Sequence, residues 1–422
     1  MPEIRKLKNG ITLVLSEEKR TEAVSLIVYI GAGSRYEDDR VAGMTHFLEH
    51  ILFDGTEKRP TALDVTKEID AIGADVNAHP MEEYTNFHIK AAAEHLEIIA
   101  DIFSDMLLNS RITEADIAKE KKVIAEEIKM RTDIAPSHVF NVFDEAIFAG
   151  NNLGRYAAGE LEVIDNISRD DVIDFYKKYY LGNNVFISVC GNFAGRTADE
   201  ISDLIESKFN FPSGIVKLEK SLEFKQEKLR FLAKNSQQTN FIVGYYGCSF
   251  NSPDRIGLKL LSIILGGNMS SRLHTELREK RGLAYDVRTF SSSISDIGII
   301  ETVAGVADEK AGEALSAVIA EYEKTKAGVT EDELSMAKSY LLGQMKIGFE
   351  DSENFGEFNL SQVFYTGSTE TLSDISEKIA KITTADIKNL ANKYFDNKKL
   401  SVAVIAKEAV RQEIEAIIKN IK

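Results

Sequence analysis

Residues 167–189 read ISRDDVIDFYKKYYLGNNVFISV, and residues 382–404 read ITTADIKNLANKYFDNKKLSVAV. The two stretches align without a gap. Each reads as a capped helix, a turn and a strand. Ser168 and Thr383 are the N-caps, and Val185–Val189 and Leu400–Val404 are the strands. A second pair supports the first: ITEADIAKEKKVIAEEI from Ile112 matches VTEDELSMAKSYLLGQM from Val329. Both begin with Thr-Glu as a helix start and continue with helical periodicity. Two copies of a unit of ~200 residues fit the chain, and a period this long means duplicated domains rather than a solenoid.

The join lies between Phe211 and Asn235, where Pro-Ser-Gly is followed by a highly charged segment that reads as an extended link. The expected domains are residues 1–215 and 225–422. Strands are expected at Thr12–Ser16, Ala23–Ile30, Phe87–Ala92 and Val185–Val189. Helices are expected at Gly43–Phe53, Ala62–Ile72, Ala93–Leu108, Glu114–Arg131 and Asp170–Tyr179. The first two strands are close enough in sequence to pair as a hairpin. The fold class is α+β, a mostly antiparallel sheet covered by helices, used twice.

Composition narrows the function. At 422 residues, 44% hydrophobic and 28% charged, the chain is globular and long enough for more than one core. A net charge of −16 argues against a nucleic-acid partner, which calls for a basic surface. No run approaches the ~20 apolar residues of a membrane span. The start, MPEIRKLKNGITLVLS, reads as strand, Asn9-Gly10 turn, strand rather than as a leader. Cys190 and Cys248 have no paired spacing and read as reduced core residues. These features lead to the expectation of a cytoplasmic protein.

The chemistry concentrates at Thr45–His50, THFLEH. On a helix, His46 and His50 share a face, and Glu49 borders it. Phe47, Leu48, Ile51 and Leu52 make the rest apolar, so the helix should be buried. A buried carboxylate is costly unless paired or near a cation, and neutral imidazole is a common zinc ligand. A metal accounts for all three polar residues, but a two-histidine set needs a third ligand. Glu120 and Glu127, two helical turns apart on the Glu114–Arg131 helix, flank the apolar Val123 and Ile124. Glu127 could complete the set and Glu120 could orient a ligand or the water. Glu126 competes with Glu127 for the ligand role. His79, His88, His95, His138 and His274 show no pairing.

The duplication tests this reading. Aligning Ala42-Gly43 with Ile256-Gly257 sets Leu260, Ile263 and Ile264 opposite His46, Glu49 and His50. Ala337 and Gln344 stand opposite Glu120 and Glu127. The fold therefore does not require the polar groups, and only the first copy should bind metal.

The HxxEH order inverts the zincin motif and is the inverzincin signature. Together with Glu127 it resembles the M16 metallopeptidases, the superfamily of pitrilysin, insulin-degrading enzyme and mitochondrial processing peptidase. The resemblance spans essentially the whole chain and is closest to the short, processing-peptidase-like subfamily. It implies the LuxS/MPP-like metallohydrolase fold and a zinc metalloendopeptidase. One Zn2+ per chain is implied at His46, His50 and Glu127, with Glu49 as general base and Glu120 as supporting carboxylate. In SSRLHTELREKRGLAYDV, Arg278 and Tyr285 have the spacing of the family's substrate-binding pair. The resemblance implies that Tyr285 donates to the oxyanion and Arg278 holds a substrate carbonyl. Read alone, Glu276–Arg281 is a charged helix end, capped by Gly282 and followed by a strand. The preceding GGNMSSR lacks the Gly-Lys-Ser ending of a phosphate loop.

Asn77 and Ala78, in IGADVNAHPMEEYTNFHI, match a family pattern beside a strand edge that pairs with extended peptide. Main-chain pairing gives broad specificity. Pro80 departs from the pattern, since the family often has threonine there and proline removes a donor. Members this short resemble half of a clamshell, which implies a homodimer with composite active sites that encloses peptides or unfolded segments. Two alternatives remain open at this level. One is the zinc-bearing subunit of a hetero-oligomeric peptidase. The other is a non-catalytic structural member, a role that does not need the motifs present here.

Overall fold

The structure is a computed structural model and describes residues 2–421. Two sheets organise it. In the first, β1 (Glu3–Lys6), β2 (Thr12–Glu17), β3 (Ala23–Ile30), β4 (Asp75–Pro80), β5 (Thr85–Ala92) and β6 (Val185–Gly191) lie in the order β1-β2-β6-β3-β5-β4. In the second, β7 (Leu229–Ala233), β8 (Thr239–Tyr246), β9 (Ala284–Ser293), β10 (Gly298–Val306) and β11 (Ser401–Ala406) lie in the order β7-β11-β8-β10-β9. Without β1, the two orders are the same. β6 runs parallel to β2 and antiparallel to β3, and β11 runs parallel to β7 and antiparallel to β8. The remaining pairs are antiparallel.

The repeated stretches occupy equivalent places. Ser168 caps helix Arg169–Tyr179 and Thr383 caps helix Thr384–Tyr394, each completing a capping box with the aspartate at N3. Each helix then leads into the strand, β6 or β11, that lies in the interior of its sheet at the equivalent place. The Asn9-Gly10 turn joins β1 to β2, with Gly10 at φ +95°.

Two sequence expectations need correction. β2 and β3 do not form a hairpin, because β6 lies between them and pairs with both. The charged link also contains a strand: β7 starts at Leu229 and pairs in parallel with β11.

The chain divides into two compact units. One comprises Met1–Lys129, Tyr156–Lys220 and Lys346–Thr371, and the other Met130–Arg155, Ser221–Met345 and Leu372–Lys422. Each unit thus takes a helical segment from the opposite half of the sequence. The strand patterns explain why. Along β3, Val24, Leu26, Val28 and Ile30 enter the large core, while Ile27 and Tyr29 pack against Leu360 and Val363 of helix Ser352–Thr366. Along β8, Phe241, Val243 and Tyr245 enter the second core, while Ile242 joins Val139, Phe143 and Ile147 of helix Ala135–Ile147. Both faces of each central strand are apolar, so each sheet needs helices on both sides. Glycines permit the close approach. A Cβ on Gly356 would stand 2.8 Å from Ile27, and one on Gly244 would stand 2.5 Å from Phe143. No helix among the described residues is long and apolar enough to cross a membrane.

Candidate metal centre

Helix Met44–Phe53 carries the HxxEH motif, with Gly43 as its N-cap. Met44, Phe47, Leu48, Ile51 and Leu52 are fully or almost fully buried in the core of the first unit. This apolar surround fixes the helix and leaves His46, Glu49 and His50 on its remaining face. Helix Glu114–Asp133 supplies the facing carboxylates, its Ile117, Ile124 and Ile128 being buried in the same core.

Nε2 of His46 lies 3.6 Å from Oε2 of Glu127, and Nε2 of His50 lies 3.4 Å from the same oxygen. The two imidazole rings are 4.7 Å apart at 70°. The ligand atoms of the three residues lie within 4.8 Å of one another, and no other such group occurs among the described residues. These separations exceed the ~2.7–3.2 Å of a nitrogen–oxygen hydrogen bond. They match the ~3.3–3.6 Å between neighbouring ligands ~2.0–2.2 Å from one tetrahedral ion. Nδ1 of His46 is buried and has no hydrogen-bond partner. A buried imidazole held only by a 3.6 Å approach is costly, and a shared cation accounts for it. Two imidazoles and one carboxylate are a zinc donor set with room for a further ligand, so the residues fit the metal.

Glu120 is buried and accepts a bond from Nδ1 of His50 at 2.9 Å, while its other oxygen meets the Lys119 ammonium at 3.0 Å. That bond leaves Nε2 of His50 as the nitrogen able to face a cation. Burial alone pulls the His50 pKa down, but the Glu120 bond and the charges of Glu49, Glu120 and Glu127 outweigh it and raise it. Burial likewise pushes Glu120 up, and His50 and Lys119 reverse this so that its carboxyl titrates below the usual range. The pocket is thus built to hold positive charge. Lys119 also bonds Asp54, which follows the last residue of the metal helix, and so ties the two helices together. Glu126 is 75% exposed and paired with Lys129, away from this cluster.

Arg278 and Tyr285 lie together in the second unit. Arg278 lies in the last turn of the helix His274–Lys280, Gly282 turns the chain at φ +57°, and Tyr285 is the second residue of β9. The guanidinium stands 4.9 Å from the centre of the Tyr285 ring and donates to the Tyr285 carbonyl at 3.4 Å. Tyr285 is 80% exposed, so its hydroxyl is available to a ligand. Leu260, Ile263, Ile264 and Ala337, the second-copy counterparts of the metal-site residues, are buried, and Gln344 is exposed.

Asn77 and Ala78 lie within β4, the edge strand of the first sheet. Met81 N–H bonds Tyr84 O across the turn to β5. The antiparallel alternation then points the main-chain groups of Val76, Ala78 and Pro80 away from β5, toward the free edge. Pro80 has no N–H, and the Ala78 N–H is bonded by the Asn77 side chain at 2.9 Å. The edge therefore offers mostly carbonyl acceptors. His79 and His88, unpaired in the sequence reading, face each other across β4 and β5 with ring centres 5.8 Å apart. Sequence reasoning also missed Lys119 and Glu37. Glu37 is buried and accepts from the Gly43 and Thr45 N–H groups. Its only sequence signal is an acid shortly before a helix start that lacks a capping side chain.

Residues 13–160 match the insulinase family, peptidase family M16, and residues 166–341 match the peptidase M16 inactive domain. An uncharacterized zinc protease of Bacillus subtilis is 31% identical over 390 residues, covering 92% of this chain and 94% of that protein. The chain belongs to peptidase family M16. A second relative, an uncharacterized zinc protease of Rickettsia felis, is 31% identical over 93% of this chain and 95% of its own length. The crystal structure of a protease from Helicobacter pylori superposes with a TM-score of 0.87 at 22% identity, covering 96% of this M16 chain and 99% of that one. A peptidase M16 inactive domain from Pseudomonas fluorescens superposes with a TM-score of 0.88 at 18% identity, covering 96% and 98%. These two structures share the M16 fold.

Proposed function

We propose that this M16 chain is a zinc metalloendopeptidase acting on peptides or unfolded segments. The observation that carries the proposal is the meeting of two imidazole nitrogens with one carboxylate oxygen at ligand spacing, beside Glu49 and backed by Glu120. His46, His50 and Glu127 would hold one Zn2+ per chain. When bound, zinc supplies Lewis-acid polarisation of the scissile carbonyl and makes water a better nucleophile near neutral pH.

The chain's own residues do the rest. Glu49, beside His50 on the same helix, takes the proton of the attacking water and passes it to the leaving amine. Glu120 keeps the His50 ring oriented through its Nδ1 bond. The β4 edge at Asn77 and Ala78 receives the peptide main chain, and its carbonyls select substrates by their N–H groups. Tyr285 donates to the developing oxyanion and Arg278 holds a substrate carbonyl. In a homodimer, Arg278 and Tyr285 of one protomer complete the zinc site of the other, giving two composite sites inside a chamber.

The test is zinc stoichiometry together with peptide cleavage followed by mass spectrometry, with Glu49→Gln in parallel. The expected result is one zinc per chain in both proteins, and turnover lost by about 100-fold or more in the variant. Cleavage by Glu49→Gln at the wild-type rate, or wild-type protein that binds no zinc, overturns the proposal.

A further inference from the structure

The metal helix starts in an unusual way. Its N-cap, Gly43, has φ +95° and no side chain. The first N–H groups of a helix have no partner within it, and Ser, Thr, Asp or Asn normally supplies one. None of these fits at this position. A Cβ on Gly43 would stand 2.7 Å from Gly159 Cα and 2.8 Å from Ala158 O, and the left-handed φ disfavours any side chain. The cap therefore has to come from elsewhere in the chain.

Glu37 supplies it. One carboxylate oxygen accepts from the Gly43 N–H at 2.7 Å. The other accepts from the Thr45 N–H at 2.7 Å and from the Thr45 hydroxyl. Glu37 and Thr45 are almost fully buried, so these bonds are shielded from water. The carboxylate also brings negative charge to the positive end of the helix dipole. His46 follows Thr45 directly and lies in the first helical turn, the part of a helix that frays first when uncapped. His50, one turn further on, has its own brace in Glu120. His46 has none of that kind, and its Nδ1 makes no hydrogen bond. The position of the His46 ligand nitrogen is therefore set by its backbone.

We infer that Glu37 is the positioning residue of the metal site: its carboxylate replaces the missing cap and holds the first turn, and with it His46, in ligating register. The inference rests on the zinc reading of His46, His50 and Glu127. Glu37 touches neither the metal nor the substrate in this role. It acts through Gly43 and Thr45.

The test is zinc affinity of the purified full chain, measured by competition with a chromophoric chelator, alongside thermal unfolding of the zinc-free protein. Glu37→Gln keeps the shape and removes the charge. The expected result is zinc affinity weaker by about 10-fold or more, the scale for residues that orient ligands, with the zinc-free melting temperature close to wild type. Turnover of the variant should recover as zinc is raised, with KM unchanged. Affinity within twofold of wild type overturns the inference. If Glu37→Gln does not fold, Thr45→Val removes the hydroxyl contact and leaves the carboxylate in place. Severalfold weaker zinc binding in that variant supports the inference, and unchanged binding overturns it. Wild-type protein that binds no zinc would instead remove the underlying metal reading, so the two failures are distinguishable.

Discussion

Replacing Glu120 by glutamine separates charge from shape at the metal site. In the wild type, one Glu120 oxygen accepts from Nδ1 of His50 at 2.9 Å and the other meets the Lys119 ammonium at 3.0 Å. Glutamine has only one acceptor oxygen. With that oxygen on His50, its NH2 group faces a second donor, the Lys119 ammonium. Lys119 is half exposed and can turn to Asp54, which it already bonds. The His50 tautomer is kept, and what is lost is the charge assistance. A bond to a charged group contributes ~1.5–3 kcal/mol against ~0.5–1.5 for a neutral one, a difference of about 1–1.5 kcal/mol. This corresponds to about 5–10-fold in zinc affinity. Glu120→Ala leaves Nδ1 without an acceptor and frees the ring, so the loss should reach about 10–100-fold. Chelator competition near neutral pH should rank wild type above Glu120→Gln, and Glu120→Gln above Glu120→Ala. Affinities within twofold across the series, or an alanine variant no weaker than the glutamine variant, would refute the reasoning.

Three further outcomes follow from the geometry. Leu360→Ala removes a fully buried side chain that joins helix Ser352–Thr366 to β3, and should lower the denaturation free energy by about 2–5 kcal/mol; a loss below 1 kcal/mol in urea titration would mean the helix is not held by this contact. Asn77→Ala frees the outward N–H of Ala78, adding one main-chain donor to the β4 edge. It should raise kcat/KM for peptides by about 2–10-fold, the worth of one net hydrogen bond, and a fall would show that Asn77 itself holds the peptide. Glu333 is held down to about 2 by its paired bonds to Arg272. A depressed carboxyl stabilises above its unfolded value, and that stability drains as pH falls from the ordinary glutamate range toward about 2. Glu333→Gln should therefore lose about 1–2 kcal/mol at pH 7, since solvent screens a partly exposed pair, and should match wild type only once the pH has fallen to about 2 or below. A difference independent of pH would exclude the linkage.

What the sequence revealed of the fold was what is written locally. The stretches at 167–189 and 382–404 carry their own caps, helices and strands, and they take the same slot in each sheet. The position of β6 between β2 and β3 is a different kind of fact. It joins a strand near the start of the chain to one more than 150 residues later, and no local pattern records such a parallel pairing. β7 was hidden because a half-buried edge strand in a charged segment alternates weakly. The origin of the covering helices was equally invisible. An apolar helix face fits either sheet, and only tertiary packing assigns Ala135–Ile147 to β8 and β11 and Ser352–Thr366 to β3 and β6. The need for a second covering layer was nevertheless legible. AVSLIVYI in β3 is apolar at nearly every position, whereas a strand covered on one side alternates.

The candidate site was more legible than the fold, for a physical reason. Two histidines and a glutamate within one apolar helix cannot be explained by packing, and the second copy places leucine and isoleucine in the same slots, where they are buried without difficulty. The duplication thus acts as an internal control. One architecture holds polar groups in the first copy and, apart from the exposed Gln344, apolar groups in the second, so the polar set is a departure the fold does not need. Facing it are carboxylates whose charges raise the His50 pKa despite burial. Such a set destabilises the first unit unless a cation shares it. The choice between Glu126 and Glu127 was not local, since both lie on one helix turn and only the facing helix separates them. Glu37 was less local still. Sequence marks Gly43 as a poor cap, but the carboxylate that stands in for it comes from six residues earlier, and Gly43 itself packs closely on Gly159, far away in sequence. Two of the three candidate ligands, His46 and His50, are thus written in the motif, while the third, Glu127, and the groups that orient them lie outside it.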